Sequence, residues 1–361
     1  MRFQRLRIEG VRCLQAVDIA PAAGLNLLLG PNGAGKTSVL ESAYLLSHAR
    51  SFRSGPRDVM KQRGVERMHI YGEIVSGTRT RRLGLGHDSD GWHARVDGAS
   101  ASRLGDLFQH GAVVCFEPGS HALVAGAADE RRRFLDWGVF HVEHRFLASW
   151  QRYRRALKQR NALLRQSSPV PDAVLAPWEA EMGEAADGID AWRRRYLQRL
   201  EVALKDIAER FLPELGQVTL TYRPGWEAGL ALAEALADRR DRDRQRGHTT
   251  SGAHRADWRP VFEHAPQREH LSRGQEKLCA LACHLAQARL FADDHDEWPV
   301  ICLDDLASEL DAVHRSAVVE QLLAADAQVF ITGTERPDVI PAEKVAMFHV
   351  EHGRVTPAAA D

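Results

Sequence analysis

The sequence predicts an α/β protein in which a mixed sheet carries a phosphate-binding loop and an α-helical lobe is inserted between the two halves of that sheet domain. Three observations predict it. Strand-like and helical runs alternate at both ends of the 361-residue chain. The glycine loop GPNGAGKTS, residues 30–38, follows a short apolar run and opens a helical one. From Asp129 onward the texture changes to long helical seams. The expected division is therefore 1–128, the first part of the head with an antiparallel β subdomain; 129–245, the helical lobe; and 246–361, the second part of the head.

Taken in order, RFQRLRIEG alternates in polarity, LQAVDIA follows as a second strand, and LNLLLG is a buried strand feeding the glycine loop. KTSVLESAYLLSHA is a helix with Val39, Leu40, Ala43, Leu46 and Ser47 on its buried side. MHIYGEIV, RRLGLGH and HARVDG, punctuated by Gly and Asp, predict a small antiparallel sheet beside the first one, and AVVCFEP a further strand. In the lobe, Phe146, Trp150, Tyr153 and Leu157 are spaced four, three and four apart. After the turn SSPVPD, a second seam runs through Trp178, Met182, Ala185, Ile189, Trp192, Tyr196, Leu200, Ala203 and Ile207. Together they predict an antiparallel helical pair whose aromatics are packing residues. QVTLTYRP is a strand, and LALAEALADRRDRDRQRG a helix that dissolves into alternating charge, a solvated face or mobile loop. The α/β pattern then returns: QEKLCALACHLAQARLF is a helix, PVICLDD a buried strand, AVHRSAVVEQLLAA a helix and QVFITG a strand. AMFHVEHGRV closes the domain as a β turn-and-strand ahead of a frayed tail, TPAAAD.

Formal net charge is −1, from 48 basic and 49 acidic residues, so any nucleic-acid partner has to be met by a local basic patch. Nearly all the cations are Arg, the better bidentate phosphate binder, although genome base composition produces the same bias. Cys13, Cys115, Cys279, Cys283 and Cys302 form no metal-like pattern, and Cys279 and Cys283, one helical turn apart, are small core residues. MRFQRLRIEG has no apolar signal segment, and no uncharged run is long enough to cross a bilayer. A cytoplasmic protein without a membrane partner is expected.

Gly30-Pro31-Asn32-Gly33-Ala34-Gly35-Lys36-Thr37 fits the spacing G-x-x-x-x-G-K-[ST] in its required context, a strand before and a helix after. Glycines let the backbone wrap its N–H groups around phosphate oxygens, and the helix that begins at Lys36, Thr37 and Ser38 turns its positive end toward the anion. Lys36 is assigned to the β- and γ-phosphates of ATP, and the Thr37 hydroxyl to Mg²⁺. Val300-Ile301-Cys302-Leu303-Asp304-Asp305 supplies the second half: a buried strand ending in a metal-holding carboxylate, Asp304, and an acid for the attacking water, Asp305.

Leu271-Ser272-Arg273-Gly274-Gln275 opens another helix, and its Ser offers a hydroxyl, free N–H groups and the helix dipole to a phosphate. A second phosphate site makes sense if it covers the γ-phosphate held by another copy of the molecule. LSRGQ resembles the signature motif of ABC-type ATPases, whose heads sandwich two ATP molecules between one subunit's phosphate loop and the other's signature. The resemblance implies an ABC-type ATPase head in which Ser272, Arg273, Gly274 and Gln275 act in trans, with Ser308 and Asp311 in a D-loop.

Transporter ATPases have a shorter insertion than this chain, and SMC proteins a very long coiled coil. The details resemble the RecF family of bacterial recombination proteins. GPNGAGKTSVLES (30–42), RRFLDWGVFH (132–141), LKQRNALLRQ (157–166), DRDRQ (241–245), LSRGQ (271–275) and DDLASELD (304–311) carry that resemblance over essentially the whole chain. FLDWG and KQRNALLR have no general chemical reason to recur, which makes them specific. Some positions depart from the wider pattern, Glu117-Pro118 among them, where RecF-like sequences often have the acid after the proline. Thr332 and Thr334 stand where the superfamily's switch histidine is expected, which predicts a missing or hydroxyl-made γ-phosphate contact and slow turnover. Gln109 is the nearest candidate for the glutamine of the Q-loop.

Resemblance to RecF implies a weak, DNA-stimulated ATPase whose ATP-driven homodimer clamps gapped DNA or single-strand/double-strand junctions. It also implies that RecO and RecR are partners in recombinase loading, a role in SOS induction, and DNA release on hydrolysis. Arg-rich stretches at Arg131 to Arg133, Arg152 to Arg155 and Arg193 to Arg195 are candidates for phosphate contacts, Arg154 and Arg155 foremost. His254 and Arg255, in GAHRAD, are a weaker candidate for the same contacts and are read first as structural. The alternatives are a transporter ATPase subunit and a structural head that binds ATP without hydrolysing it.

Overall fold

The computed structural model describes residues 1–53, 57–101, 103–168, 170–338, 340 and 345–358; Pro169 of the expected turn and the last three residues of the tail lie outside them. The chain divides into two compact units, Met1–Ser120 with Ala280–Asp361, and His121–Cys279. The cuts fall before 128 and after 245, so residues 246–279, LSRGQ included, belong with the helical unit and not with the second part of the head.

In the first unit β1 (Arg2–Val11) buries Phe3, Leu6 and Ile8 and turns at Arg12, whose φ of 56° is left-handed, into β2 (Leu14–Ile19). β3 (Leu25–Leu29) has no alternation, because a strand covered on both faces is apolar throughout. After α1 (Lys36–His48) come β4 (Met68–Ser76), β5 (Arg79–Asp88), β6 (Gly91–Val96), β7 (Ala99–Ser100) and β8 (Val113–Phe116). The expected separate subdomain is not separate. β4 to β7 continue β2 and β1 in one six-stranded antiparallel sheet, ordered β2-β1-β4-β5-β6-β7. The free edge of β1 decides this, pairing with β4 from Arg2↔Val75 to Glu9↔His69.

The second unit holds α2 (Ala122–Ala125), α3 (Ala128–Val142), α4 (Phe146–Leu164) and α5 (Asp172–Phe211). Then follow β9 (Val218–Arg223), α6 (Leu232–Asp238), α7 (Arg240–Arg246) and β10 (Asp257–Phe262), and α8 (Arg273–His295) starts in this unit. α4 and α5 are antiparallel: Phe146 lies against Trp192, Arg152 pairs with Glu181, and Arg160 with Glu179. β9 and β10 form a two-stranded antiparallel ribbon.

Buried arginines tie this unit together. Arg160, with no exposed side-chain surface, donates to Glu179 Oε1 at 3.1 Å, Asp243 Oδ2 at 2.7 Å and Thr249 Oγ1 at 2.9 Å. The other oxygen of Asp243 accepts the Thr250 hydroxyl at 2.7 Å, and Arg240 reaches Glu179 Oε2 at 2.5 Å. The charge run is thus not a mobile loop: Arg240–Arg246 is helical, with Asp241, Arg242, Gln245 and Arg246 exposed as expected of a solvated face and Asp243 turned inward. In this helix, α7, Asp243 is fully buried because it neutralises Arg160. Arg193 is likewise buried, holding Asp136 at 2.8 Å and the Ala253 carbonyl at 2.8 Å. Arg131 is buried on Asp257 at 2.6 Å.

Beyond the lobe, β11 (Val300–Leu303), α9 (Leu306–Glu309), α10 (Ala312–Ala324), β12 (Val329–Gly333), β13 (Val345–Glu351) and β14 (Arg354–Pro357) return to the first unit. The second sheet runs β14-β13-β3-β12-β11-β8, parallel except for β14, so strands from both ends of the sequence interleave. α1 touches β1, β4 and β5 of one sheet and β8 and β12 of the other. For that reason it is buried all round apart from Thr37 and His48, where one buried side was expected. Among the described residues no helix is long and apolar enough to cross a membrane.

Removing one partner of the Arg160 network leaves a charge stranded in the lobe. Asp243→Ala is expected to lower the unfolding free energy by about 3–5 kcal/mol. Urea denaturation followed by tryptophan fluorescence measures it, and a change within about 0.5 kcal/mol would mean that the arginine is not dependent on this carboxylate.

Candidate functional site

The phosphate loop is built where β3 ends and α1 begins. Gly30 N–H donates to the Gly333 carbonyl at 3.3 Å, and Gly353 N–H to that of Ala34 at 3.0 Å, pinning the loop between β12 and the β13–β14 turn. Two glycines are dictated by space and conformation. A Cβ on Gly30 would lie 2.0 Å from the Val350 carbonyl oxygen. Gly35 has φ of 117°, and a Cβ there would stand 2.7 Å from Leu14 Cδ2 and 3.1 Å from Cys13 Sγ. Pro31, Asn32 and Gly33 are exposed, whereas Ala34, Gly35, Lys36 and Ser38 are buried.

The N–H groups of Gly33, Gly35, Lys36 and Thr37 have no partner among the described residues, so the loop and the start of α1 present a ring of donors. Lys36 Nζ sits inside, donating to the carbonyls of Gly30 at 2.7 Å and Pro31 at 3.0 Å. Burial pulls its pKa down, while Asp305 and Asp304 act to raise it. These features fit a polyphosphate: a cation and four free donors meet in a cradle too narrow for side chains.

Asp304 ends β11 and is nearly buried. Its Oδ1 accepts from the Thr37 hydroxyl at 2.9 Å and from the Thr332 hydroxyl at 2.7 Å. Burial raises its pKa; the Thr332 and Thr37 hydrogen bonds work against that rise. A desolvated carboxylate beside a hydroxyl at the mouth of a phosphate loop is a donor pair suited to Mg²⁺. Asp305 adopts a left-handed conformation with φ of 53°, and its N–H donates to Thr332 Oγ1 at 2.8 Å. The carboxylate of Asp305 makes no hydrogen bond among the described residues.

Of the two threonines that stand where a missing or hydroxyl-made γ-phosphate contact is expected, Thr332 spends its hydroxyl inward on Asp304 and Asp305, and only Thr334 is exposed. Glu41 is a residue that the sequence reading misses. Fully buried one turn after Thr37, it accepts from Arg12 Nη2 at 2.7 Å and lies 3.8 Å from Arg53, tying neighbouring loops to α1. The available signal is that Glu41 is the single acid of the helix KTSVLESAYLLSH. Gln109, itself exposed, ends the 3₁₀ turn Leu104–Gln109 and has no hydrogen bond to the phosphate loop among the described residues.

In the D-loop segment Ser308 Oγ donates to the Asp305 carbonyl at 3.1 Å, and Asp311 caps α10 by accepting His314 N–H at 3.0 Å. In the helical unit, Ser272 caps α8: Gln275 N–H donates to its Oγ at 3.3 Å, and Ser272 N–H to Gln275 Oε1 at 2.9 Å, a reciprocal box. Ser272, Arg273 and Gly274 are exposed.

Of the expected DNA candidates, Arg131 and Arg193 are withdrawn, since both are buried in ion pairs, and Arg152 is committed to Glu181 and Glu184. Arg154 and Arg155 are exposed on α4 and form no salt bridge among the described residues. His254 is structural, as expected. Its Nδ1 shares a 2.7 Å hydrogen bond with the Tyr153 hydroxyl, and burial pulls its pKa down to about 4.

Residues 5–43 match the family model of an AAA domain. A protein of Xanthomonas oryzae pv. oryzae (strain MAFF 311018), described as DNA replication and repair protein RecF, is 49% identical over 363 residues, spanning 98% of this chain and 100% of the relative. The chain belongs to the RecF family of DNA replication and repair proteins. A RecF of Stutzerimonas stutzeri (strain A1501) is 39% identical over 99% of the chain and 97% of its own length. Among solved structures, the recombination mediator protein RecF-ATP of the RecFOR pathway superposes with a TM-score of 0.89 at 23% identity, covering 99% of this chain and 97% of that one. An Smc head bound to the C-winged helix domain of ScpA reaches 0.59 at 13% identity, covering 99% and 98%. The fold is thus that of an ABC-type ATPase head, a mixed sheet with a phosphate loop and an inserted α-helical lobe.

Thr332→Val removes the hydroxyl that orients Asp304 and satisfies Asp305 N–H. In this RecF protein it is expected to lower Mg²⁺-dependent nucleotide hydrolysis about 10- to 100-fold, while Thr332→Ser retains most of it. Single-turnover hydrolysis measures both, and equal loss in the two variants would make the effect one of packing.

Proposed function

We propose that this RecF protein is an ATP-dependent DNA-binding clamp of recombinational repair and replication restart. The observation that carries the reading is the convergence of Lys36, Thr37 and Asp304 on a loop with four unpartnered N–H groups. ATP is the ligand proposed, in keeping with the related structure named RecF-ATP. The loop N–H groups and Lys36 bind and orient its β- and γ-phosphates. Mg²⁺, held by the Thr37 hydroxyl and Asp304, would neutralise the charge on those phosphates. Asp305 accepts the proton of the attacking water at its carboxylate.

Ser272 and Gly274 of a second copy close over the γ-phosphate, with Arg273 and Gln275 beside them and Ser308 and Asp311 of the D-loop at the same junction. ATP therefore joins two heads. Dimerisation combines surfaces that are separately too weakly basic to hold DNA, in keeping with a net charge of −1. Hydrolysis removes the phosphate both copies share and opens the clamp. Turnover is slow because no histidine stands directly after β12 and the Thr332 hydroxyl is engaged elsewhere. The related structures are named for the RecFOR pathway. That supports RecO and RecR as partners; gapped DNA and single-strand/double-strand junctions as targets, DNA-stimulated hydrolysis, SOS induction and a cytoplasmic location belong to the same proposal.

Two experiments test the clamp. Mass in solution is measured with and without ATP·Mg²⁺, in an Asp305→Asn background that slows hydrolysis. ATP should yield a dimer that Ser272→Arg abolishes; a monomer with ATP demonstrably bound contradicts the sandwich. Reversing Arg154 and Arg155 to Glu should weaken binding to gapped DNA by about tenfold at low salt and leave ATP affinity unchanged. Unaltered DNA affinity removes α4 from the interface.

A further inference from the structure

The carboxamide of Gln275 is held from both ends. Its Oε1 accepts the Ser272 N–H at 2.9 Å, and its Nε2 donates to Glu214 Oε1 at 2.9 Å. An amide can face either way, and the two orientations exchange donor for acceptor. Only the orientation with oxygen toward Ser272 satisfies that N–H. An ionised carboxylate is acceptor-only, so Glu214 selects this orientation by taking the amide's N–H.

The consequence falls on Ser272. Its N–H is occupied by Gln275 Oε1, and its Oγ accepts from Gln275 N–H at 3.3 Å. With a lone pair used in this way, the hydroxyl proton is left to donate outward from an exposed position. A flipped Gln275 would turn an N–H toward the Ser272 N–H and break the reciprocal box.

Glu214 stands on a fixed base. It lies in the 3₁₀ turn Pro213–Leu215 that follows α5; Leu215 is buried, and its carbonyl accepts His264 N–H at 3.0 Å. Leu212, which joins this turn to α5, is fully buried and bonded to the Ala208 carbonyl at 2.8 Å. The backbone that carries Glu214 is therefore fixed, and its exposed carboxylate reaches the start of α8.

We propose that Glu214 is a positioning residue for the signature segment: by fixing the Gln275 amide it holds Ser272 with its hydroxyl proton directed at the γ-phosphate of a second copy. The inference rests on the sandwich reading given above. It also gives α5 a direct mechanical connection to Ser272, since Glu214 follows the last turn of that helix.

The test uses the full chain and a non-hydrolysable ATP analogue with Mg²⁺. Sedimentation equilibrium gives the dimer dissociation constant, and calorimetry at concentrations where the protein is monomeric gives the affinity of each head for the analogue. Glu214→Ala should weaken the dimer about fivefold per site, hence about 25-fold for its two sites, with the affinity of the monomer unchanged. Gln275→Glu, which sets two carboxylates against each other, should weaken it similarly. Combining Gln275→Glu with Glu214→Gln restores a donor–acceptor pair of reversed sense, and should return the dimer to within about threefold of the parent. A merely structural role would not show that rescue.

Ser272→Arg separates the two readings. If it abolishes the dimer while Glu214→Ala dimerises like the parent, the positioning role is wrong and the sandwich stands. Failure of the double variant to recover from Gln275→Glu overturns the positioning role equally, and it does so even where Glu214→Ala folds poorly. If Ser272→Arg dimerises normally, the signature reading falls and the role of Glu214 falls with it.

Discussion

The structure depends on one contact, the 2.9 Å hydrogen bond from Thr37 to Asp304, which joins residues 267 apart in sequence. Nothing local brings them together. β3 delivers the phosphate loop, β11 delivers the carboxylate, and the two are placed by the parallel order β3-β12-β11. β12 is the strand between them, and it contributes Thr332, whose hydroxyl holds Asp304 and Asp305 at once. Three strand ends at the carboxyl edge of one parallel sheet thus make the site, where ligands of open α/β sheets are bound.

The helical unit is organised by a different physical demand, that buried guanidinium groups be neutralised. Arg160, Arg193 and Arg131 have each lost their water and are met by Asp243 and Glu179, by Asp136, and by Asp257. Sequence runs that looked chemically arbitrary acquire a reason in this way. KQRNALLR supplies Arg160 and also Asn161, which accepts the Thr249 N–H at 2.8 Å. DRDRQ supplies Asp243, and FLDWG supplies Asp136. The glycine in that last run faces Tyr196, whose hydroxyl would lie 2.2 Å from any Cβ. Directional pairs of this kind specify a single arrangement of α4, α5 and α7 more sharply than apolar contacts alone.

The same accounting separates arginines that hold the fold from arginines available to a partner. In sequence, Arg152, Arg154, Arg193 and Arg194 are equivalent cations on amphipathic helices. Burial and pairing sort them: Arg193 is wholly enclosed, Arg152 is engaged by two glutamates, and Arg154 and Arg155 remain open to solvent. A near-neutral chain offers a polyanion only local positive charge.

By itself the sequence determined what short-range chemistry encodes. The phosphate loop, its strand and helix, the Asp304–Asp305 strand end and the Ser272 cap are legible because each is a contiguous pattern with a local physical cause. The long helices were legible from their seams. Tertiary structure alone decided which sheet each strand joined, because edge pairing such as β1 with β4 depends on which neighbour arrives and not on alternation. It also decided that α1 is buried on all sides, that Arg240–Arg246 is an ion-paired helix, and that Thr332 looks inward. In each case a polar or charged side chain is defined by a partner distant in sequence, and desolvation makes that partner obligatory.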